Sequence, residues 1–422
     1  MKSSLQTRYA SFLILKDVLN KKITVPLALS NCKILNEMES MDVRFVRLLV
    51  LTTLRRYGQA KEILKRYLKK KLSGKNKDVE LVLLLALVQL RFLNTAPHAV
   101  VDTSVELTKL LKQKYLSGFV NAVLHTASKD TDKTLPSVLL NIPEWLLSRW
   151  ISYYGEEKTQ SLVETFYTEP YLDISVKEHP DLWAQKLEGE LLSTGTIRCR
   201  FNENVSSMSG FDDGVWWVQE ASAALPAHLF TDVSGKLGAD LCSAPGGKTA
   251  QLVFRGARVN AYDISEKRLE KLYENIRRLK IEDKVTVICQ DALKIEGKEQ
   301  YDFVLLDAPC SATGTIKRHP DLCFLREKED IERISLLQRE LLEKAVTLLK
   351  KGGELVYSTC SLDIIENEIL VQNFLKDHMN IERIVPNKAF LKPFLNEYGA
   401  VQVIPSEKVL QDGFYAVLLK KI

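Results

Sequence analysis

Long apolar runs are missing from this sequence of 422 residues. It contains no stretch of about 18 consecutive apolar residues, the length that a membrane-spanning helix requires. Leu81–Val88 is too short and too close to charged residues to span a bilayer. The N-terminal residues Met1–Arg8 also lack the apolar core of a secretory signal peptide. We therefore expect a cytoplasmic protein.

Paired cysteines are lacking as well. The seven cysteines are an odd number, and no two of them form a C-x-x-C motif. This argues against a disulfide framework and against a structural zinc site, so we expect no metal and free thiols in a reducing compartment. Most of these thiols are expected to be small buried apolar side chains, namely Cys32, Cys199, Cys289 and Cys323.

The glycine-rich loop of the sequence fits neither common phosphate-binding motif. It reads Asp-Leu-Cys-Ser-Ala-Pro-Gly-Gly-Lys-Thr over residues 240–249, without the spacing of G-x-x-x-x-G-K or G-x-G-x-x-G. The loop follows a predicted strand, and Gly246 and Gly247 would let the backbone approach a ligand and open the next helix. Such a loop can hold the methionine moiety of a nucleoside cofactor.

The charge of the chain is distributed unevenly. Residues 1–130 carry 23 Lys and Arg against 10 Asp and Glu, a local balance of +13, whereas the remainder carries 36 against 44. A strongly basic first third favours a nucleic-acid-binding surface, with Arg44, Arg47 and the lysine-dense stretch Lys61–Lys77 as candidates. The alternative is a solvated lysine face that only maintains solubility.

Helical periodicity dominates the first third of the chain. Apolar residues recur at helical spacing in Leu5–Leu19 and again after Asp42, which we expect to be an N-cap. Asp78 is expected to cap the apolar helix Leu81–Phe92. Strand signals are few, so a helical bundle is predicted, followed by a polar linker at Thr126–Thr134.

Strands and helices alternate in the rest of the chain. Leu172–Val176 and Thr196–Phe201 are predicted strands around a helix at Leu182–Leu192. From about Val215 the alternation predicts a mostly parallel, doubly wound sheet. Its predicted strands are Leu237–Cys242, Arg258–Asp263, Lys284–Gln290, Tyr301–Asp307, Glu354–Ser358 and Phe414–Lys420, and its main helices are Ser265–Leu279 and Ile331–Leu349.

These patterns together predict a multidomain protein. Residues 1–128 form an all-α bundle, residues 136–210 a small α+β module, and residues 211–422 an α/β Rossmann-like domain. Acids close successive strands of the last domain: Asp263 is placed to bind ribose hydroxyls, and Asp291 to accept from an adenine amino group. A single acid in such a place is more often a cap or turn residue, but the series beside one glycine loop favours cofactor binding.

Two cysteines end two predicted strands. Cys310 lies three residues after Asp307, and Cys360 follows the strand Glu354–Ser358. Open α/β sheets bind ligands at the carboxyl ends of their strands, and a thiolate there is a strong nucleophile. Thiolate attack on C6 of a pyrimidine would make C5 nucleophilic enough to take a methyl group. The spacing does not rank the two thiols, and Cys242 is expected to pack beside the cofactor.

Both halves of the chain resemble known families. Val101–Leu107 and Gly118–Leu124 resemble the NusB RNA-binding domain. Residues 215–420 resemble the RNA cytosine-5 methyltransferases of the Fmu/Sun (Nol/Nop/Sun) family. The motifs that carry this second resemblance are Trp217–Ser222, Asp240–Thr249, Asp307–Gly314, Arg318–Asp321, Gln338–Arg339 and Ser358–Ser361. The NusB-like N-terminus narrows the resemblance to bacterial enzymes that modify small-subunit (16S) ribosomal RNA.

The resemblance implies a role for each matched residue. Cys360 corresponds to the nucleophile, Cys310 to the second cysteine that helps release the product, and Asp307 to the acid that hydrogen-bonds the target base. S-adenosylmethionine is the implied cofactor, and its implied contacts are Cys242, Ser243, Ala244, Pro245, Gly246, Gly247, Lys248, Asp263, Asp291 and Asp307. The implied substrate is an unpaired or flipped cytosine of 16S rRNA, bound by a monomer.

The chain departs from the family pattern in three places. Leu172–Val176 stands where the family has an Arg-Val-Asn strand, so the resemblance does not assign RNA contacts to residues 136–210. Ile364–Asn367 replaces Pro-Glu-Glu-Asn, and Phe324 stands at a usual tryptophan position. None of these departures involves the two thiols or the cofactor loop, so we expect an active enzyme.

Three alternatives remain open from the sequence. The enzyme could methylate a cytosine at another rRNA or tRNA site. It could be an amino-methyltransferase, since Asp307–Cys310 resembles an Asp-Pro-Pro-Tyr loop, although such an enzyme has no use for Cys360. It could also be an inactive RNA-binding assembly factor, against which the intact glycine loop and both cysteines argue.

Overall fold

The computed structural model describes residues 3–70, 72, 74–200 and 204–422. The chain forms two compact units, of which the first comprises Met1–Tyr167 and Arg318–Glu327 and the second comprises Thr168–Lys317 and Lys328–Ile422. In the described part of the chain, no helix combines the length and apolar character needed to cross a membrane. The domain boundaries expected from the sequence stay predictions.

The first unit is built from helices, which confirms the helices predicted for the first third of the chain and adds two more, Glu144–Tyr154 and Glu156–Thr165. Its α-helices are α1 (Ser3–Lys21), α2 (Val25–Asn31), α3 (Ser40–Arg55), α4 (Tyr57–Lys65), α5 (Lys77–Phe92), α6 (Pro97–Leu110), α7 (Ser117–Lys129), α8 (Glu144–Tyr154) and α9 (Glu156–Thr165). Helix α5 lies at the centre because every residue from Leu81 to Gln89 is buried, the pattern of a helix surrounded by others. It packs against α3, α4, α6 and α7.

A ten-residue segment from late in the chain belongs to this helical unit. Within Arg318–Glu327, which contains the short helix Leu322–Leu325, the Asp321 carboxylate accepts a hydrogen bond from the Val25 backbone N–H at 2.9 Å. Lys22 donates to the Phe324 carbonyl at 2.6 Å, and the Phe324 ring meets the Tyr57 ring edge-on at 5.1 Å. The helical core is thus completed by residues that lie far downstream in the sequence.

Two helix starts differ from the prediction. Helix α3 begins at Ser40 with Glu39 as its N-cap, so Asp42 lies in the first turn and is not the cap. Helix α5 begins at Lys77, which likewise places Asp78 in the first turn. An acidic residue in the first turn stabilises the helix through its dipole without capping it. An acid is therefore favourable both at the N-cap and in the first turn, and the sequence does not distinguish the two positions.

The predicted linker also begins later than expected. Helix α7 continues to Lys129, which makes the first four residues of Thr126–Thr134 helical. Beyond it, Asp132 accepts from Arg66 at 3.0 Å, and Asp130 forms an ion pair with Arg91 at 3.3 Å.

The second unit contains a small antiparallel sheet in the order β2-β3-β1-β4. Its elements are β1 (Leu172–Val176), α10 (Pro180–Lys186), β2 (Glu190–Leu191), β3 (Ile197–Cys199) and β4 (Trp216–Val218). Helix α10 ends at Lys186 and not at the predicted Leu192, because Glu188 adopts a left-handed φ of 49° and the chain turns back to pair β2 with β3. Phe201, at the end of the predicted strand, lies outside the described residues.

A larger mixed sheet forms the rest of this unit. Its strands are β5 (Leu237–Leu241), β6 (Arg258–Asp263), β7 (Val285–Cys289), β8 (Tyr301–Asp307), β9 (Leu349–Thr359), β10 (Ile381–Ile384), β11 (Val401–Val403) and β12 (Phe414–Lys421). The α-helices of this part are α11 (Leu225–Leu229), α12 (Gly247–Phe254), α13 (Glu266–Leu279), α14 (Lys328–Leu348) and α15 (Glu368–Asp377). All six predicted strands and both predicted helices are confirmed. Strand β9 starts at Leu349, five residues before the predicted Glu354, and β10 and β11 were not predicted.

The strand order creates a crevice at the centre of the sheet. The order is β10-β12-β9-β8-β5-β6-β7, with β11 paired to β12. Strands β7, β6, β5, β8 and β9 run parallel, and β12 is antiparallel to β9. From β5 the chain proceeds outward to β6 and β7, then returns to the other side of β5 with β8. Ligands bind outside the carboxyl ends of the strands at such a reversal point.

Candidate active site

A cavity of about 480 Å³ opens at the carboxyl ends of these parallel strands. Each strand carries an acid or a thiol to it, because every buried apolar run ends on a polar residue at the same edge of the sheet. The cavity brings together half of the predicted site residues: Cys242, Asp263, Asp291, Asp307, Cys310 and Cys360. Its apolar walls include Ile264, Leu293, Leu337 and Leu341.

The two strand-end thiols are neighbours in this cavity. Cys310 Sγ and Cys360 Sγ are 3.4 Å apart, although 50 residues separate them in the sequence. Gly314 holds their two loops together, since its N–H donates to the Cys360 carbonyl at 2.9 Å. A Cβ at this position would lie 2.1 Å from the Gly413 carbonyl oxygen and 2.8 Å from that of Cys360. Only glycine allows such a close backbone approach.

The thiols at this edge differ in their electrostatic surroundings. Contact with Cys360, burial, and the charges of Cys360 and Glu366 together raise the pKa of Cys310 well above its usual value. Burial, followed by the charges of Asp307, Asp263 and Asp240, raises the pKa of Cys242 to about 12. Cys310 and Cys242 are therefore held as neutral thiols.

A lysine and an aspartate form an ion pair beside the thiols. Lys248 Nζ lies 2.7 Å from Asp307 Oδ2, and Ser358 Oγ donates to Asp307 Oδ1 at 3.0 Å. Burial opposes the charge of Lys248, but Asp307, Asp240 and Cys360 outweigh that effect and raise its pKa. Lys248 therefore keeps its positive charge, and Cys360 is one of the groups that interact electrostatically with it.

The glycine loop is shaped by packing as well as by access to the cavity. Gly246 has a φ of 98°, and a Cβ there would lie 2.2 Å from Leu272 Cδ1. Gly247 starts helix α12. Neither glycine lines the cavity, nor do Ser243, Ala244, Pro245 and Lys248. The loop thus lies next to the cavity, but of its residues that were predicted to contact the cofactor, Cys242 alone lines the cavity.

Asp263 is buried at the end of β6, with 2% of its surface exposed. Its carboxylate accepts from the Ser265 N–H at 3.0 Å and the Ala244 N–H at 3.3 Å, and it pairs with Arg268 at 3.2 Å. A carboxylate has about four acceptor positions. The three contacts leave room for one more donor from the cavity, which fits a ribose hydroxyl.

Asp291 has two roles in the structure. Its Oδ1 accepts from the Leu293 N–H at 3.0 Å and caps the short 3₁₀ helix Ala292–Lys294, the structural role expected of a strand-end acid. The residue also lines the cavity. A nucleoside cofactor fits these residues, since carboxylate acceptors for its ribose and adenine lie at the ends of adjacent strands beside apolar walls.

Sequence reasoning gave no role to the residue that joins the two cysteine loops. Glu366 is fully buried and binds Ser311 and Ser361, the residues directly after the two cysteines. Its only sequence signal was its place in the altered Ile364–Asn367 motif. Of the four cysteines expected to be buried, Cys199 is buried, whereas Cys289 is exposed because it ends the edge strand β7.

Two family models match the chain. Residues 232–420 match the model described as "16S rRNA methyltransferase RsmB/F". Residues 5–129 match the "NusB family" model. The second match covers α1 to α7, and the first covers the large mixed sheet. Both resemblances expected from the sequence are confirmed.

Relatives extend the similarity to nearly the whole chain. The ribosomal RNA small subunit methyltransferase B of Pasteurella multocida (strain Pm70) is 31% identical over 412 residues, which cover 92% of this chain and 90% of that protein. The crystal structure of PH0851 shares the fold, with a TM-score of 0.78 at 23% identity over 98% of this chain and 99% of that chain. A methyltransferase homologue from Pyrococcus horikoshii has a TM-score of 0.57 at 28% identity over 66% of this chain and 95% of that chain. The protein therefore belongs to the RsmB/F family of 16S rRNA methyltransferases.

Proposed function

We propose that this protein methylates C5 of a cytosine in 16S rRNA with S-adenosylmethionine, through a covalent adduct between Cys360 and C6 of the base. The observation that carries the proposal is the pair of thiols 3.4 Å apart in one cavity with Asp263, Asp291 and Asp307. S-adenosylmethionine supplies an electrophilic methyl group when it is bound. We propose that Asp263 and Asp291 hold its ribose and adenine.

Attack on the base is assigned to Cys360. The family resemblance gives this role to Cys360, and it agrees with the state of Cys310, which its contacts and burial hold as a neutral thiol. The ammonium of Lys248 interacts electrostatically with Cys360. The Cys360 sulfur adds to C6, and the electron pair of the C5–C6 double bond makes C5 nucleophilic. Asp307, anchored by Lys248 and Ser358, is placed to hydrogen-bond the cytosine ring and keep it oriented during this step.

Release reverses the addition after C5 has taken the methyl group. A base removes the C5 proton, the C5–C6 double bond re-forms, and the electron pair of the C6–S bond returns to Cys360. The Cys310 thiol, 3.4 Å from that sulfur, can donate a hydrogen bond to the departing thiolate. The target base must be unpaired or flipped, because stacking covers the face from which the sulfur attacks.

The decisive experiment removes each thiol separately. Cys360→Ala should bind cofactor and RNA but form no adduct and transfer no methyl group. Cys310→Ala should attack and methylate but release slowly, so a protein–RNA species should survive denaturing electrophoresis. RNA containing 5-fluorocytosine should trap the unmodified enzyme, since fluorine does not leave as a proton does.

The control for this experiment is Cys289→Ala, which removes an exposed thiol that does not line the cavity. It should react like the unmodified enzyme. If Cys310→Ala is the variant that forms no adduct, the two roles are reversed. If neither variant nor the fluorinated RNA yields an adduct, the covalent mechanism is wrong, and the amino-methyltransferase alternative becomes the better one.

The RNA-contacting surface is proposed to lie on α3 and α4 of the helical unit. Arg44 and Arg47 are exposed on α3, and Lys65, Lys69 and Lys70 are exposed at and after the end of α4. Lys65 is partly neutralised by Glu62 at 2.5 Å. Lys71, also in the predicted lysine run, lies outside the described residues.

A salt titration tests this surface. Each lost phosphate contact should reduce the slope of log affinity against log salt by about 0.7 to 0.9. We expect Arg44→Glu with Arg47→Glu to weaken RNA binding and flatten that slope, while S-adenosylmethionine affinity stays constant. An unchanged slope would mean that these side chains only maintain solubility.

A further inference from the structure

Glu366 makes a hydrogen-bonded connection between the two cysteine loops. Its Oε2 accepts from the Ser311 backbone N–H at 2.8 Å, and its Oε1 accepts from Ser361 Oγ at 2.6 Å. The Ser311 hydroxyl also donates to Oε1. Ser311 directly follows Cys310, and Ser361 directly follows Cys360. One carboxylate therefore holds the residue next to each thiol.

Other contacts fix Glu366 itself. Gln338 on α14 donates its amide to Glu366 Oε2 at 3.0 Å and to the Pro309 carbonyl, just before Cys310, at 2.8 Å. The Tyr357 hydroxyl on β9 donates to the Glu366 carbonyl at 2.6 Å. The residue is thus tied to a helix, to a strand and to both loops.

The burial of Glu366 makes these contacts interdependent. Its side chain is fully buried, and burial raises its pKa while the donors from Ser311, Ser361 and Gln338 act in the opposite direction. A buried carboxylate is costly unless hydrogen bonds compensate it. The donors are therefore held around the carboxylate as a group, and moving one loop away would leave buried polar atoms without partners.

We propose that Glu366 is a positioning residue that sets the separation and orientation of the Cys310 and Cys360 thiols. Its significance for catalysis rests on the proposed function, because the adduct forms at one thiol and is released beside the other. The geometric part of the proposal is independent of that function, since it concerns only the distance between two sulfur atoms.

Substitution by glutamine or by alanine separates positioning from charge. In Glu366→Gln the amide oxygen can accept from the Ser311 N–H and Gln338, while the amide NH₂ can donate to the two serine hydroxyls, which also act as acceptors. The connection between the loops is kept and the charge is lost. Glu366→Ala removes the connection through the carboxylate and leaves the Gly314 contact and the contact of 3.0 Å between the Ser311 and Ser361 hydroxyls.

A dithiol reagent measures the separation of the thiols without any need for catalysis. Phenylarsine oxide condenses with two close thiols, forming two As–S bonds and releasing one water. We expect tight capture by the unmodified protein and by Glu366→Gln, within about threefold of each other. Glu366→Ala should lose at least tenfold in apparent affinity, and Cys310→Ala should lose the bidentate capture entirely.

The matched control is Glu368→Ala, which removes another buried carboxylate two residues later. Glu368 binds Arg383 at 2.6 Å and Tyr415 at 2.9 Å, and does not contact either serine. It should lower stability without changing arsenical capture. If Glu366→Ala does not fold, Ser361→Ala removes one of the four donors and should show a smaller loss of capture.

Kinetics of the same variants test the catalytic consequence. Misplacement of a reacting group by about 1 Å can cost roughly 100-fold in rate. We expect Glu366→Ala to lose about that much in kcat with an unchanged KM for S-adenosylmethionine, and Glu366→Gln to recover most of it. A folded Glu366→Ala protein with full arsenical capture would overturn the proposal. The proposed function alone would be overturned if Glu366→Ala lost arsenical capture while the trapping experiment showed that neither Cys310 nor Cys360 forms an adduct with RNA.

Discussion

Cys242 and Cys360 follow strands β5 and β9 at the same edge of the sheet, yet their surroundings differ in charge. Cys242 is surrounded by the carboxylates of Asp240, Asp263 and Asp307, which together with burial raise its pKa to about 12. Cys360 lies near the ammonium of Lys248, which keeps its charge through the ion pair with Asp307.

The difference shows that position at a ligand-binding edge does not make a cysteine a nucleophile. Both residues follow a buried strand and line one cavity. What separates them is the charge around them: carboxylates disfavour a thiolate at Cys242, whereas Cys360 interacts with the ammonium of Lys248.

Removing the cation should have the largest effect on this contrast. Lys248→Met keeps most of the side-chain volume but loses the charge near Cys360 and the partner of Asp307. We expect kcat to fall about 100-fold, the usual scale for losing one electrostatic contact to a reacting group. Alkylation of Cys360 by iodoacetamide at pH 8, followed by peptide mass spectrometry, should slow in parallel. The exposed Cys289 provides the internal control; equal slowing of both thiols would contradict the role of Lys248.

Removing a carboxylate on the Cys242 side should affect cofactor binding instead. Asp263→Ala deletes the proposed ribose acceptor and should weaken S-adenosylmethionine binding by at least about tenfold, the value of roughly one charged hydrogen bond. RNA affinity should stay within experimental error. Calorimetry measures both, and Asp263→Asn, which keeps one acceptor oxygen, should lie between the two. Unchanged cofactor affinity in Asp263→Ala would contradict the assignment.

The smallest effect on the contrast between the two thiols should come from Asp240, the last of the three carboxylates that raise the pKa of Cys242. Its own titration should instead change the stability of the fold. Burial, followed by the charge of Asp307, raises the pKa of Asp240 from 3.8 to about 7, although Thr249 donates to its carboxylate at 2.5 Å. Between these two pH values the folded protein holds a proton that the unfolded chain has lost. The contribution of Asp240 to stability therefore falls as the pH rises from about 4 to about 7, by up to about 4 kcal/mol.

Urea unfolding of Asp240→Asn tests this pH dependence. The variant cannot titrate at this position, so its free energy of unfolding should improve relative to the unmodified protein as the pH rises from 5 to 8. A constant difference between the two proteins over this range would show that Asp240 is already ionised when folded.

The parts of the fold that were predicted from the sequence are those with a local cause. The central strands were predicted because each is a short apolar run that ends on a polar residue. Helix α10 was predicted too long because its apolar spacing continues to Leu192, while the turn at Glu188 depends on pairing between β2 and β3. The first turn of α3 could not be told from its cap because an acid is favourable at both places.

The residues of the site divide in the same way, into those with a local signal in the sequence and those without one. The thiols, the acids and the loop stood out because each is an unusual residue at a strand end. Gln338 and Ser358 belonged to motifs that matched the family, and Glu366 to an altered one, but none was given a role. Their roles arise from contacts across 28 to 55 residues of sequence. No periodicity or spacing marks such contacts. The closeness of Gly314 to Cys360 likewise depends on the packing of two loops.

The ten residues Arg318–Glu327 impose an order on how the chain can fold during synthesis. The helical unit needs Asp321 for the Val25 N–H and Phe324 for the Tyr57 ring, yet these residues leave the ribosome about 150 residues after Tyr167. At about 5 to 20 residues per second, the bundle must wait roughly 8 to 30 seconds for its last segment. A fragment ending at Tyr167 would therefore leave the Phe324 site uncovered, and it should be less stable and more prone to associate than the same helices in the full chain.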